Sequence, residues 1–170
     1  MAVETTELRT LLDKQACSET LTRYCRALDW LDTDALKTVF TPDADIDYGF
    51  FKGRGDEFIP VVMDIEHSFL RRWHLIANAI IQVNGDTAEG ESYGLAAAVS
   101  EREGRMMTDV FGGRYLDRFV RRAGQWQIAK RVYVLDWQRS FEADAEAEAA
   151  MPGLVWSSGF NPTHPLYRKL

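Results

Sequence analysis

Cysteine is scarce in this chain, with two among 170 residues, and Cys17 and Cys25 stand eight apart on one helix-like stretch. That spacing does not suit a disulfide, so both read as small buried apolar residues. Basic character is scarce as well. The formal net charge is −6, and arginine clusters go no further than the doublets at Arg71 and Arg121. Nucleic-acid binding, which calls for a basic stripe, is disfavoured. No apolar run approaches the roughly 18 residues of a membrane helix, and MAVETTELRT lacks the basic-then-apolar pattern of a leader. No membrane partner is expected, and a cytoplasmic location is. HExxH and cysteine clusters are missing, while His67 and His74 lie seven apart across a helix-strand boundary, so no metal is expected. With no glycine-rich loop between strand and helix, nucleotide binding is unsupported and no cofactor is implied. The RGD at Arg54 to Asp56 is a coincidence of three letters, and NPT at Asn161 fails the glycosylation rule through its proline.

What is present is the make-up of one globular domain, nearly half apolar and 27% charged. Apolar residues at 8, 11, 12, 16, 17, 21, 24, 25 and 28 follow helical spacing from Leu8 to Leu28. A short second helix is expected with Asp32 or Thr33 as N-cap, Ala35, Leu36, Val39 and Phe40 inward, and a stop at Thr41-Pro42. ADIDYGF then alternates Ala44, Ile46, Tyr48 and Phe50 against Asp45 and Asp47, as a half-buried strand does. Gly53 and Gly55 break the chain before a third helix at about 56–70, carrying Phe58, Ile59, Val62, Ile65 and Phe69.

The second half changes rhythm. Trp73 to Val83 is rich in β-formers and ends at Asn84-Gly85, a hairpin signal. Strands at about 87–100, 105–120 and 125–137 follow, separated by EREG and RRAG. Gly90, Gly94 and Gly112-Gly113 are placed to bulge and bend a long sheet. Helices followed by an antiparallel meander define an α+β fold. The segment EADAEAEAAM suggests a short solvated helix. The remaining tail keeps Leu154, Val155, Trp156, Phe160, Leu166 and Tyr167, too much apolar surface for a disordered end. Residues 141–170 are therefore expected to form an extension packed on a pocket mouth or a neighbouring subunit.

One residue stands out chemically. Asp29 is four past Cys25 and eight past Leu21, on the greasy stripe at the C-terminal end of the first helix. Burial and the helix dipole both oppose a carboxylate there; capping the turn into LDTD is the plainer role for it. His74 alternates with Ile76, Asn78 and Ile80 on a largely apolar strand face, where a hydrogen-bonded core histidine is the common occupant.

YxxxLD, DxDALxxxFTPDADIDYG, WHLIANAIIQVNGDTAEGESY and GGRYLDRFVRRAGQWQIAKRVYVLDW occur in this order between about Thr6 and Arg139. Together they resemble the SnoaL-like branch of the nuclear transport factor 2-like superfamily. The resemblance implies a domain over 1–140 shaped as a cone, a curved antiparallel sheet whose concave side is closed by the N-terminal helices around an apolar cavity. In the dehydratases and dehydrochlorinase of this group an Asp at the end of the first helix and a His at the start of the second strand form a dyad. Asp29 and His74 match those positions. His74 is then the base, since imidazole titrates near neutral pH, and Asp29 fixes its tautomer and orientation. Tyr24 and Tyr48 fall where dehydratases place phenols that assist a leaving oxygen; core aromatics with satisfied hydroxyls are the alternative. Arg131 resembles the arginine that the dehydrochlorinase uses near its leaving group. Asn78, Asp109, Tyr133 and Trp137 are expected to line the substrate, with Asp136 beside the far end. Where several dehydratases carry a second His or Asp, LAAAVS offers only small residues, which leaves volume for a bulky guest. The resemblance implies a cofactor-independent, dehydratase-type lyase acting on a hydrophobic, ring-containing, hydroxylated small molecule, in a homo-oligomer, trimer or dimer. Its alternatives are a formaldehyde-releasing lyase of lignin-derived aryl diols, a ketosteroid-type isomerase, and a non-catalytic subunit like that of ring-hydroxylating dioxygenases.

Overall fold

A computed structural model describes residues 2–170. Helix α1 runs Ala2–Asp29, α2 Thr33–Lys37, and α3 Gly55–His67. Six strands, β1 Phe40–Asp47, β2 Lys52–Arg54, β3 Arg71–Asn84, β4 Thr87–Arg102, β5 Arg105–Arg122 and β6 Gln125–Glu142, form one curved, unclosed sheet in the order β2-β1-β6-β5-β4-β3. All neighbours are antiparallel except β1 and β6, which pair in parallel. A short helix, α4 Ala145–Ala149, precedes a tail without regular structure. This is the expected α+β cone.

Two hairpins follow the rule that a tight turn needs positive φ at both central residues. Glu103-Gly104 and Ala123-Gly124 satisfy it with φ of 52° and 75°, and 50° and 81°. The hairpin expected at Asn84-Gly85 turns one residue later: Asn84 still pairs with Thr87, and Gly85 supplies the positive φ.

The core lies between the helices and the concave face of the sheet. Cys17, Leu21, Tyr24 and Leu28 of α1 and Phe58, Ile59, Val62 and Met63 of α3 meet Tyr115, Phe119, Trp126 and Ile128 there. The stripe on α1 is buried only from about its middle onward. Leu8, Leu11 and Leu12 are exposed and lie outside the buried core. The second helix stops at Lys37, and Phe40 to Pro42 belong to β1 instead, with Phe40 buried between Tyr24 and Phe58. Phe50 faces out, since the chain turns at Tyr48 to Phe51 into β2, a strand the sequence reading did not anticipate.

Glycines shape the sheet in two ways. At Gly112-Gly113 the β5–β6 register shifts, as expected of a bulge. Gly90 and Gly94 make no register shift; they leave room for aromatic rings, since a Cβ at either would stand 2.9 Å from Phe119 and 3.0 Å from Tyr115. A Cβ on Gly113 would meet the Val134 carbonyl at 2.5 Å and the Tyr133 ring at 2.8 Å. Gly113→Ala is expected to cost about 1–3 kcal/mol, the usual range for overpacking, measured as a lower urea midpoint with an unchanged slope. A wild-type midpoint would show that the sheet yields there.

Candidate functional site

Asp29 is the last residue of α1, and His74 projects from the concave face of β3 directly opposite it. The imidazole Nδ1 lies 2.7 Å from Asp29 Oδ1, and the His74 backbone N–H donates to Asp29 Oδ2 at 3.2 Å. Both carboxylate oxygens are thus committed to one residue, which fixes the ring and directs Nε2 away from Asp29. The side chains are 10% and 20% exposed, sheltered without being sealed.

Register defines what surrounds the ring. His74, Ala96, Phe111 and Gln138 form one row across β3 to β6, and Arg72, Ala98, Asp109 and Ser140 form the neighbouring row. Beside His74 the sheet therefore offers a methyl group and then a phenyl ring, both only partly buried. Ala96 and Ala98 of LAAAVS add little side-chain volume to this floor.

Glu66 and Arg72 complete the surroundings, and the sequence reading named neither. Glu66 of α3 is buried, with Oε1 3.5 Å from His74 Nε2 and Oε2 3.9 Å from Arg72 Nε. Burial pushes the Glu66 carboxyl upward, against the pull of His74 and Arg72. For His74, burial acts downward, but the bond to Asp29 and the charges of Glu66 and Asp29 outweigh it, and the net direction is upward. A histidine held above its unfolded value of about 6.5 contributes stability that is complete below that pH and fades as pH rises through the folded value. The stability difference between wild type and His74→Gln, from urea unfolding, is therefore expected to be largest in mildly acidic buffer and to shrink on the alkaline side. A difference that grows with pH would contradict this.

The phenols form a second cluster. Tyr24 and Tyr48 hydroxyls are 2.8 Å apart, and Tyr48 stacks on Tyr133 at 5.2 Å and packs near Tyr115. Burial raises the Tyr24, Tyr48 and Tyr133 phenols, the last to about 12, so they act as neutral donors. Arg131 lies beneath this cluster, fully buried, in a bidentate pair with Asp117 at 2.7 Å and 2.7 Å. Its guanidinium carbon sits 4.5 Å and 4.2 Å from the Tyr24 and Tyr115 ring centres, a cation-π stack. Its Nη1 has no hydrogen-bond partner. Burial pushes the thiol of Cys25, next to Tyr24 in sequence and four residues before Asp29, up to about 12.

Three expected lining residues face away or are paired otherwise. Asn78 sits at a bulge in β3 with φ of 44° and is exposed; the register resumes at Ala79, which puts Ile80 out and Ile81 in. Trp137 is on the convex face over Gly112, half exposed, because β6 bulges at Asp136, and Asp136 itself pairs with Arg114. Asp109 is on the concave side, but its carboxylate is taken by Arg102 and by the Ser140 hydroxyl.

The tail closes on its own chain near the dyad. Trp30, next to Asp29, stacks on Phe160 with centroids 4.4 Å apart and meets Tyr167 edge-on at 5.4 Å. The Tyr167 hydroxyl donates to Asp32, the residue that also caps α2, and Arg71 pairs with Glu148 while covering Trp156. Trp30→Ala is expected to make residues 150–170 cleavable several-fold faster in limited proteolysis, with the core unaffected; an unchanged rate would mean that other contacts hold the tail.

Clefts elsewhere carry less chemistry. One of about 440 Å3 between Thr33, Phe40, Ile59 and Pro60 includes Lys37 and Asp56, but these pair outward with Asp34 and Arg54. Another of about 200 Å3 lies on the convex face around Leu75, Tyr93 and Trp137.

The same fold, a curved sheet closed by helices, occurs among solved structures of the nuclear transport factor 2-like superfamily. A protein of that superfamily from Salmonella enterica superposes with a TM-score of 0.64 at 21% identity, over 72% of this chain and 89% of that one. Residues 9–132 match the SnoaL-like domain family, and the chain belongs to it. Uncharacterised proteins of Mycobacterium tuberculosis and Mycobacterium bovis are 31% identical over 130 residues, 75% of this chain and 88% of theirs. Among solved structures, a proposed scytalone dehydratase from Novosphingobium aromaticivorans has a TM-score of 0.69 at 23% identity, over 79% of this chain and 91% of that one. The hexachlorocyclohexane dehydrochlorinase of Novosphingobium barchaimii scores 0.69 at 15% identity, over 79% and 94%. At these identities the solved structures speak for the fold. Among the described residues no helix is long and apolar enough to cross a membrane.

Proposed function

We propose that this protein is a cofactor-independent lyase of the dehydratase type, acting on a hydrophobic, ring-containing, hydroxylated small molecule. The observation that carries the reading is the Asp29–His74 bond of 2.7 Å on an apolar, partly accessible concave face. With Nδ1–H held by Asp29, Nε2 has the lone pair that removes a proton from the carbon next to the hydroxyl-bearing one. The electron pair of that C–H bond forms the new double bond as the C–O bond breaks. The departing oxygen takes a proton back from the imidazolium and leaves as water, while the Tyr48 or Tyr24 phenol supports it by hydrogen bonding. Asp117 and Arg131 hold the phenols from below, and Tyr133 offers a flat wall for a ring.

Both oxygens of Asp29 are already engaged with His74, so a ketosteroid-type shuttle, which needs a free carboxylate oxygen at the substrate, is the weaker reading. The test is incubation of the protein with a panel of hydroxylated aryl and alicyclic compounds, read by mass spectrometry for loss of one water. Release of formaldehyde instead would assign the same dyad to cleavage of aryl diols. Neither product from any compound, with the compounds failing to bind, would favour a non-catalytic subunit.

The proposal includes self-association. Trp73, Leu75, Tyr93, Leu95 and Trp137 are large apolar side chains exposed together on the convex face, the kind of patch that marks an interaction surface. Sedimentation is expected to give a dimer or trimer, and a monomer at micromolar concentration would overturn that part.

A further inference from the structure

His74 is flanked by two acids rather than one. Asp29 holds Nδ1 at 2.7 Å, and Glu66 Oε1 faces Nε2 at 3.5 Å, long for a hydrogen bond but close for a charge. Glu66 is 6% exposed, and its other oxygen has no hydrogen-bond partner. A lone carboxylate is costly in such a place. Arg72 stands 3.9 Å away, yet its Nε and Nη1 are also unpartnered and its Nη2 donates to the Phe69 carbonyl, so it neutralises Glu66 only partly. The remaining walls are uncharged: β4 presents Ala96 and Ala98, and β5 presents Phe111. Asp109, two strands from Arg72, is occupied by Arg102, and the Cys25 thiol of α1 is held protonated by burial.

We propose that Glu66 is a positioning residue for His74, its charge coupled to that of the ring across 3.5 Å, so that Asp29, His74 and Glu66 ionise as a single unit. The balance is simple. With Glu66 protonated, Nε2 is a free base between a carboxylate and a carboxylic acid. When Glu66 has lost its proton and Nε2 has gained one, the same site is an imidazolium between two carboxylates, with no change in net charge. The first form can accept a proton from a substrate, and the second can give one to a leaving hydroxyl. Glu66 thereby sets how much of each form exists at a given pH. The functional meaning rests on the lyase reading, but the ionisation does not.

The test therefore needs no substrate. In the isotope-labelled protein, the ring nitrogens of His74 are followed by NMR across pH. The wild-type ring is expected to titrate in two broadened steps, as coupled sites do. In Glu66→Gln the His74 curve should become a single step with a midpoint lower by about 1–3 units, the usual effect of removing an opposite charge at this range. Glu66→Leu, which fills the apolar site, reads the same fall if the amide is not tolerated. A single-step wild-type curve and an unmoved midpoint in the variants would overturn the proposal. A shift without any lyase activity would retain it and remove only the functional reading.

Discussion

Replacing His74 with alanine is expected to lower kcat/KM for water loss by about 100- to 10,000-fold, the range for removing a positioned general base, while the fold is retained. Asp29→Asn should fall nearly as far. An amide can still accept a hydrogen bond from Nδ1–H, but it no longer stabilises the imidazolium that forms during proton transfer. Tyr48→Phe should lose less, because Tyr24 lies 2.8 Å away and offers a second hydroxyl. This order separates mechanisms. A carboxylate shuttle would make Asp29 the costlier loss and leave His74→Ala with substantial activity. Steady-state kinetics on any compound that the wild type converts gives the ranking, and thermal unfolding of each variant separates chemistry from misfolding.

Asp117→Ala is expected to be the most damaging change to stability, at about 3–5 kcal/mol, since it strands a fully buried guanidinium. For a chain of this size that corresponds to a melting temperature lower by about 6–20 °C. The pair is bidentate, fully enclosed, and packed beneath Tyr24 and Tyr115, so Arg131 cannot reach water without opening the core. Combining Asp117→Leu with Arg131→Met should recover most of the loss, because well-packed apolar replacements of a buried pair are often neutral or better. Equal destabilisation in the single and double variants would mean that side-chain packing, rather than uncompensated charge, is what the site needs. The double variant also bears on function: if it folds but its activity drops, Arg131 contributes to the phenol cluster beyond holding it together.

The elements that alternate or repeat cleanly were legible from sequence. Three main helices, the long meander and its glycine turns follow from spacing alone, and the stripe on α1 placed Asp29 where the structure has it. What was not legible depended on local breaks in period. The bulge at Asn78 reverses which residues face inward, so Asn78, expected to line the substrate, and Ile80, expected on the face of His74, are exposed. The bulge at Asp136 sends Trp137 to the convex face by the same mechanism. Gly90 and Gly94 were read as bends because glycine serves both bends and close approach, and only tertiary contact with Phe119 and Tyr115 distinguishes them. Asp117 sits in GGRYLDRF, where period two could have flagged it as inward with Tyr115, but its pairing with Arg131 needs the strand register. Glu66 was missed although the signal was present. It stands four residues past Val62 on the apolar face of α3, as Asp29 stands four past Cys25 on α1. The same test applied to both helices would have found both acids.

Chemistry on the concave face at His74 is tested most directly by a crystal structure with a bound hydroxylated aromatic compound. The expected result is a hydroxyl or its neighbouring carbon within about 3.5 Å of His74 Nε2, an oxygen in hydrogen-bond reach of Tyr48 or Tyr24, and the ring against Tyr133. A ligand seated instead in the cleft between Thr33 and Ile59, or in the convex groove at Trp137, with the space beside His74 filled by side chains, would contradict it.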